Sequence, residues 1–350
     1  MRIDPSANRS PLLRSLMIIV ALMAIGPAGA HAEVSVLPAS VQSVMNLREL
    51  PYDTLSIYVE DLESGDVVLQ WLETEQRNPA STIKLLTTLV SLDALGPAYR
   101  WTTDVYARGE IDAGRLEGDL LLKGYGDPFL VTERVWQLLR QIRLAGVREI
   151  DGDLLIDDSY FDVGDHDPGA FDKQPLRAYN VAPNALLMNF KVVRYWFEPD
   201  HDSNAVRIVL DPELDNLRVV NRLALAPRSC RGYQRGIAIN ANDAVDTVTF
   251  SGKFPNRCKR YAMDRTALSH NEFVYGLFRV LWQQLGGTFD GDWKNVTTEA
   301  IIDPGDKPIV SFDSLPLIDM IARVNKHSNN VMARQLVYTL SAELRGPPGT

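Results

Sequence analysis

Short β-rich runs separated by Gly, Asp and Pro turns fill residues 101–263, and this pattern limits the fold more than any other feature of the sequence. Runs of β-branched and aliphatic residues that end at turn formers predict short strands. One stretch, 133–145, has apolar residues at helical spacing, which predicts a helix among the strands. The strands are predicted at 118–123, 153–156, 205–210, 217–225 and 244–250.

The residues on both sides of this β-rich region follow a different pattern. Before it, the runs 54–60 and 67–71 flank the turn residues 63–66, which predicts a hairpin. Apolar spacing over 82–95 then predicts a helix that stops at Gly96. After the β-rich region, helical periodicity returns. These later helices are predicted at 272–285, 315–324 and 330–344.

The order of these patterns predicts the domain organisation. We expect one α/β (α+β) domain built from residues 33–100 and 264–350. The mostly β region 101–263 splits this domain as an insertion, and we expect it to form two subdomains. With 350 residues, 45% of them hydrophobic, the chain is large and apolar enough for a buried core. Its formal net charge of −9 makes nucleic acid a poor partner.

The first 32 residues have the pattern of a secretory signal peptide. Basic residues precede an unbroken apolar run at 16–25, and Ala30 and Ala32 supply small residues for cleavage after Ala32. A membrane anchor is the alternative, but ten apolar residues are too few to span a bilayer, which needs about 20. We therefore expect an exported protein.

Export places Cys230 and Cys258 in an oxidising compartment, where an even number of cysteines favours one disulfide. Two cysteines alone cannot hold zinc, and no histidine lies at ligand spacing from them. The acidic stretch 157–172 fits no cation-binding loop, and Asp, Gly and Pro turns account for it better. The sequence therefore predicts no metal and no cofactor.

Ser81 and Lys84 form an S-x-x-K pattern at the start of a predicted helix. A serine hydroxyl is a weak nucleophile, and a lysine three residues later lies one turn along the same face, within reach as a base. Lysine is a base only when neutral, so its pKa must fall from the ordinary value of about 10.4. A helix start helps, because it disfavours a protonated amine. By itself the tetrad favours a plain helix start, with Ser81 as the cap and Lys84 solvated.

A second pattern, S-x-N at Ser328 and Asn330, lies between two predicted helices. A hydroxyl can relay a proton, and an amide can bind the backbone of a substrate. The same pattern occurs at Ser6, within the predicted signal peptide, and at Ser269, which resembles a cap of the following helix. Ser328 also fits a cap of the helix 330–344, so the pattern alone leaves both interpretations open.

Taken jointly, the motifs resemble those of the class C low-molecular-mass penicillin-binding proteins, the D-alanyl-D-alanine carboxypeptidase/endopeptidase family. The similarity extends over nearly the whole chain after residue 32, including the long insert between the first two motifs. S-x-x-K followed by an S-x-N motif is a known signature of penicillin-binding proteins and related β-lactamases. The resemblance rests on 79–84 (PASTIK), 118–120 (GDL) leading to 124–128 (GYGDP), 157–161 (DDSYF), 179–183 (YNVAP) and 325–333 (NKHSNNVMA).

The resemblance implies a serine D,D-peptidase or β-lactamase-like catalytic domain in the periplasm. It implies that the penultimate D-Ala carbonyl of a peptidoglycan stem peptide acylates Ser81, with Lys84 as the base. Ser328 would shuttle a proton, Asn330 would bind the substrate, and β-lactams would acylate the same serine. Asp172 is the nearest candidate for the acidic substrate-binding position of the family.

The third motif of the family, K-T-G, does not occur in these 350 residues. We expect the chain to stop before the strand that carries this motif, which in the family lines the site and helps form the oxyanion hole. Three classes of function stay open: a penicillin-sensitive D,D-peptidase, a non-catalytic muropeptide-binding protein, and a serine β-lactamase or esterase on the related fold. The long insert argues against a simple β-lactamase. Oligomeric state, weak membrane association and the balance of carboxypeptidase and endopeptidase activity also stay open.

Overall fold

The computed structural model describes residues 36–232, 236–242, 244–298, 301–303 and 305–350. The predicted signal peptide, residues 1–32, and its cleavage site after Ala32 lie outside the described residues. The chain separates into two compact units, of which the first ends at Ala80 and the second runs from Ser81 to Thr350. Within the described ranges, no helix is long and apolar enough to cross a bilayer.

The first unit contains a helix and a hairpin. Its elements are α1 (Ala39–Leu47), a 3-10 turn (Tyr52–Thr54), β1 (Ile57–Glu60) and β2 (Val67–Trp71). The two strands pair antiparallel, as the sequence predicts. In the turn between them, the Asp61 carboxylate accepts the backbone N–H groups of Glu63 and Ser64, both at 2.9 Å. Gly65 follows with φ +75°, a left-handed conformation that glycine adopts at little steric cost.

The described residues of the second unit form three sheets. Its strands are β3 (Thr102–Asp112), β4 (Arg115–Gly124), β5 (Glu149–Ile150), β6 (Leu154–Asp157), β7 (Val192–Asp200), β8 (Ala205–Asp211), β9 (Arg218–Ala226), β10 (Ile237–Ala241), β11 (Thr247–Pro255), β12 (Tyr261–Thr266), β13 (Thr288–Phe289), β14 (Trp293–Asn295) and β15 (Val310–Asp313). Each of the five strands predicted in the β-rich region overlaps one of these elements.

The largest sheet contains seven strands among the described residues, in the order β13-β5-β4-β3-β15, with β6 paired to β4 and β14 paired to β6. Its longest pairing is the antiparallel β3–β4 hairpin, which turns at Gly114 with φ +93°. The two smaller sheets have the orders β12-β7-β8 and β10-β11-β9. The β-rich region therefore contributes to all three sheets.

The predicted helices also form, with small differences at their ends. The helices of the second unit are α2 (Ile83–Leu95), α3 (Thr132–Leu144), α4 (His270–Gln284), α5 (Leu317–His327) and α6 (Asn330–Arg345). Helix α2 stops where the sequence predicts, because Gly96 takes φ +80° and its N–H bonds to the carbonyl of Leu92 at 3.0 Å.

Two hydrophobic clusters hold the helices in place. Helix α4 packs on the large sheet, where the Phe278 ring meets the Phe289 ring of β13 edge-on, with centroids 5.5 Å apart. Helices α2, α5 and α6 surround Trp101, which is 1% exposed. Trp101 Nε1 donates to Thr339 Oγ1 at 2.9 Å, so this large aromatic is buried with its polar atom satisfied.

The mixture of sheets and helices confirms the predicted α/β (α+β) class. The predicted division into residues 33–100 with 264–350 and an insertion 101–263 stays a prediction. Strand β15 lies after the insertion and pairs antiparallel with β3 inside it. The large sheet therefore takes strands from both sides of the predicted boundary.

The structure joins Cys230 and Cys258 in a disulfide, with their Cα atoms 5.3 Å apart. Parallel pairing of β9 and β11 explains this proximity, because the register ends with Ala226 opposite Pro255. Each cysteine follows its strand by three or four residues. The parallel register therefore carries the two thiols to the same edge of the sheet.

Candidate active site

Ser81 lies in the 3-10 turn Ala80–Thr82 that leads into α2, and its side chain is exposed. Lys84 occupies the first turn of α2 and is 7% exposed. Its Nζ donates to Ser81 Oγ at 3.2 Å. The structure thus places a hydroxyl and an amine in contact, as the three-residue spacing on a helix requires.

The environment of Lys84 favours the neutral amine. Burial lowers the pKa of Lys84, because taking an ammonium out of water costs free energy. The positive charge of Arg334, on α6, lowers this pKa further. A neutral Lys84 can accept the proton of Ser81 and so raise the nucleophilicity of the hydroxyl oxygen. The pair is therefore chemically suited to serine acylation.

Helix α2 buries polar residues around this pair. Its buried side chains are Lys84, Thr88 and Ser91. Thr88 lies one turn after Lys84, and its Oγ1 accepts a hydrogen bond from Asn325 Nδ2 of α5 at 3.2 Å. Asn325 begins the segment 325–333 that also contains Ser328 and Asn330. This hydrogen bond therefore joins the helix of the first motif to the segment of the second.

Ser328 does not cap α6, although the sequence left that interpretation open. Asn329 is the N-cap, and its side chain accepts the N–H of Met332 at 3.0 Å. Ser328 instead ends α5 in a left-handed conformation, φ 52° and ψ 39°, which leaves its side chain exposed. The corresponding interpretation of Ser269 is confirmed, since it caps α4 in a reciprocal capping box with Glu272.

Ser328 and Asn330 line a cavity of about 1110 Å³. Residues of α3, of the 3-10 turn Ala178–Asn180, of the sheet β12-β7-β8 and of the end of α4 also line this cavity. Ser81 and Lys84 are not among its described lining residues. The structure thus groups the predicted residues into two pairs, and within the described chain no hydrogen bond joins one pair to the other.

Asp172 lies in the loop before the 3-10 turn Ala178–Asn180. Its carboxylate accepts hydrogen bonds from the Tyr179 hydroxyl at 2.5 Å, from Asn180 Nδ2 at 2.9 Å and from the Gln174 N–H at 3.0 Å. The hydroxyl of Tyr179 is the main cause that lowers the pKa of Asp172. Asp172 therefore organises this loop as an ionised carboxylate, and does not touch Ser81 or Lys84 by any hydrogen bond of the described residues.

Arg334 is a residue of this region that sequence reasoning missed. It follows Asn330 by four residues on α6, and its Nη1 donates to the carbonyls of Tyr179 and Val181, both at 3.0 Å. The helical i, i+4 spacing from Asn330 was the available signal, because it places both residues on one face. The fold joins α6 to the Asp172 loop through this side chain.

A serine in contact with a buried lysine at the start of a helix, in a mixed α/β fold, is typical of serine acyl-transfer enzymes of the penicillin-binding class. The family model of the D-Ala-D-Ala carboxypeptidase 3 (S13) family matches residues 37–350. The chain belongs to this family, and the resemblance inferred from the sequence is thereby confirmed.

Two curated relatives are named as D-alanyl-D-alanine carboxypeptidases. The D-alanyl-D-alanine carboxypeptidase DacB of Haemophilus influenzae is 24% identical over 265 residues, which cover 73% of this chain and 52% of the relative. The D-alanyl-D-alanine carboxypeptidase of Actinomadura sp. (strain R39) is 25% identical over 367 residues, which cover 97% of this chain and 64% of the relative. The chain thus spans between about half and two thirds of the length of these relatives.

Solved structures support the fold. The crystal structure of penicillin binding protein 4 (dacB) from Haemophilus influenzae superposes with a TM-score of 0.71 at 19% identity, covering 89% of this chain and 67% of that chain. The same protein complexed with a novel β-lactam superposes with a TM-score of 0.63 at 18% identity, covering 83% and 62%. At this level of identity the likeness shows the shared fold.

Proposed function

We propose that the protein is a serine-type D-Ala-D-Ala carboxypeptidase or endopeptidase that cuts peptidoglycan stem peptides through an acyl-enzyme. The observation that carries the proposal is the hydrogen bond of 3.2 Å between Lys84 Nζ and Ser81 Oγ. Family membership supports the substrate class, because both curated relatives are named D-alanyl-D-alanine carboxypeptidases. β-Lactams are the proposed inhibitors, since a structural relative is known in complex with one.

In the proposed reaction, Ser81 Oγ attacks the carbonyl carbon of the penultimate D-Ala while neutral Lys84 takes the hydroxyl proton. Free N–H groups at the start of α2 can help to stabilise the developing oxyanion. The peptide C–N bond then breaks, and the leaving amine of D-Ala or of a cross-linked peptide takes a proton. Water hydrolyses the resulting ester, which restores the Ser81 hydroxyl.

Ser328 and Asn330 complete the proposed site. The exposed hydroxyl of Ser328 would carry the proton between Lys84 and the leaving amine, and the Asn330 amide would bind the backbone of the substrate. The hydrogen bond between Asn325 and Thr88 supports these roles, because it holds their segment beside α2. We also propose Asp172 as the acidic residue that binds the substrate.

The protein is proposed to work in the periplasm after cleavage following Ala32. The signal-peptide pattern of residues 1–32 supports export. The disulfide between Cys230 and Cys258 adds a second reason, because such bonds persist in oxidising compartments and are rare in the cytosol.

Acylation of Ser81 by a fluorescent penicillin tests the proposal. The mature protein, beginning at Glu33, should form an adduct that mass spectrometry maps to Ser81, and Ser81→Ala should abolish it. Ser91→Ala is the matched control, because it removes a hydroxyl from the same helix that donates to the carbonyl of Thr87. An adduct that persists in Ser81→Ala would contradict the assignment of the nucleophile.

The rate at which the adduct disappears separates the remaining classes of function. A D,D-peptidase releases the penicilloyl group slowly, whereas a β-lactamase turns it over, so a stable adduct supports the peptidase. If a correctly folded protein forms no adduct but binds muropeptides, the non-catalytic binding function replaces the proposal. Release of D-Ala from a pentapeptide, followed by chromatography, then measures carboxypeptidase activity directly.

A further inference from the structure

Two segments of the β-rich region carry positive charge only. Residues 216–242 and 247–263 contain nine basic residues and no acidic one, although the whole chain has a formal net charge of −9. They contain β9, β10 and β11, which are the strands of one of the two smaller sheets. Charges of one sign that are grouped in this way create a local positive potential, which attracts anions.

Strand pairing and the disulfide gather several of these cations at one end of the sheet. Arg231 lies in the loop after β9, and the disulfide joins this loop to the one after β11. A Cβ atom placed on Gly236, just before β10, would lie 3.8 Å from Arg228 Nη1 and 2.5 Å from the carbonyl oxygen of Lys253. The guanidinium of Arg228 thus lies at the point where the backbone of Lys253 passes Gly236.

Arg228, Arg231 and Lys253 line one cavity of about 320 Å³. Its other described lining residues are two glycines, a serine and a proline, so none of them is acidic. The volume is at the lower end of the range for ligand pockets, about 300 to 1,000 Å³. The cavity therefore has room for a small anionic group and presents only positive charge to it.

The three cations keep their charge available for a ligand. All three residues are exposed. Among the residues that the structure describes, no ion pair includes Arg228, Arg231 or Lys253. Like charges held close together repel one another, and an anion bound between them relieves this repulsion.

We propose that this cavity is a binding site for a phosphate group, held by Arg228, Arg231 and Lys253. A phosphomonoester carries a charge of about −1.5 to −2 at neutral pH and offers three acceptor oxygens. Guanidinium groups bind such oxygens in pairs, and a lysine adds a point charge. A carboxylate has a single charge and two oxygens, and would leave most of the positive charge without a counter-ion.

The site is separate from the proposed catalytic residues. None of its lining residues belongs to the S-x-x-K or the S-x-N motif. The proposal therefore does not depend on acylation of Ser81, and a failure of one leaves the other in place.

Titration with inorganic phosphate, followed by NMR of the ¹⁵N-labelled mature protein, tests the site. The backbone N–H signals of Gly232 and Gly236, which line the cavity, should shift and then saturate. Acetate at the same ionic strength should give no saturating shift. No saturating shift with phosphate, or acetate binding as tight as that of phosphate, would overturn the proposal.

Paired substitutions test the residues. Arg228→Gln combined with Arg231→Gln should weaken phosphate binding by at least about tenfold, because two charge-assisted contacts are lost. The matched control is Arg218→Gln combined with Arg222→Gln, which removes two exposed arginines of β9 that do not line the cavity.

The control pair should leave the affinity unchanged, and equal weakening in both pairs would reduce the site to general surface charge and contradict the proposal. Lys253→Gln alone should weaken binding by a smaller factor than the first pair. Far-UV circular dichroism and thermal melting check the fold of each variant.

Two sources of a phosphate group are separated by sedimentation with phosphatidylcholine vesicles, prepared with and without phosphatidic acid. Binding only to vesicles with phosphatidic acid, lost in Arg228→Gln with Arg231→Gln, identifies a lipid headgroup. Binding of inorganic phosphate without binding of vesicles identifies a phosphorylated molecule that is not part of a membrane. Both results support the site, whereas binding of neither probe rejects it.

Discussion

Helix α4 and helix α2 bury opposite kinds of side chain. Helix α4 buries Phe273, Val274, Leu277, Phe278, Leu281 and Trp282, whereas the buried side chains of α2 are Lys84, Thr88 and Ser91. Five large apolar residues of α2 are between 43% and 62% exposed: Ile83, Leu85, Leu86, Leu89 and Val90. The other two, Leu92 and Leu95, are partly buried against the cluster around Trp101.

The difference separates a helix that stabilises the fold from one that shapes a site. Each apolar side chain that α4 buries contributes on the order of 2 kcal/mol to folding. Helix α2 forgoes part of that gain and encloses an amine instead, and this burial lowers the pKa of Lys84. Active sites commonly sacrifice stability in this way.

The largest expected effect on stability is in α4. Leu277→Ala should lower the free energy of unfolding by about 3 kcal/mol, because it opens a cavity at a fully buried position. Urea unfolding followed by circular dichroism measures this loss. A loss below about 1 kcal/mol would mean that α4 is not the core helix described here.

At Lys84 we expect an effect of intermediate size and opposite sign, namely an increase in the free energy of unfolding. Its pKa is lower in the folded than in the unfolded chain, so the unfolded state binds the proton more tightly, and the contribution of Lys84 to stability rises as the pH approaches the ordinary lysine pKa of about 10.4. Lys84→Met should therefore add on the order of 1 kcal/mol at neutral pH.

The pH dependence makes this prediction specific. The advantage of Lys84→Met should be largest at low pH and should shrink as the pH approaches the ordinary lysine value. Thermal melts at several pH values measure it, with Lys326→Met on the exposed last turn of α5 as the control. A variant that is less stable than the natural protein at every pH would contradict the account of α2.

The smallest expected effect is on the apolar face of α2. Leu86 is 56% exposed, so Leu86→Ala should change the free energy of unfolding by no more than about 0.5 kcal/mol. The same urea measurement used for Leu277→Ala gives a direct comparison. If both variants lower the free energy of unfolding by the same amount, the apolar face of α2 is covered in solution. The two helices then do not differ in the way described here.

Much of the fold was accessible from local patterns. The hairpin before α2, the stop of α2 at Gly96 and the Ser269 cap of α4 all depend on residues close together in the chain. The cap of α6 was harder to assign, because Ser328 and Asn329 both offer a side-chain oxygen. Asn329 takes this role once Ser328 adopts the left-handed conformation that ends α5.

In the candidate site too, some features follow from the local sequence and others from the tertiary structure. By itself the sequence determined that Ser81 and Lys84 lie on one face at the start of a helix, since residues three apart are neighbours there. Only the tertiary structure decided that α2 buries Lys84 while Leu85, Leu86 and Leu89 stay exposed, and that Arg334 is fixed on the carbonyls of Tyr179 and Val181. Burial and charge depend on elements far away in the chain, so no local spacing encodes them.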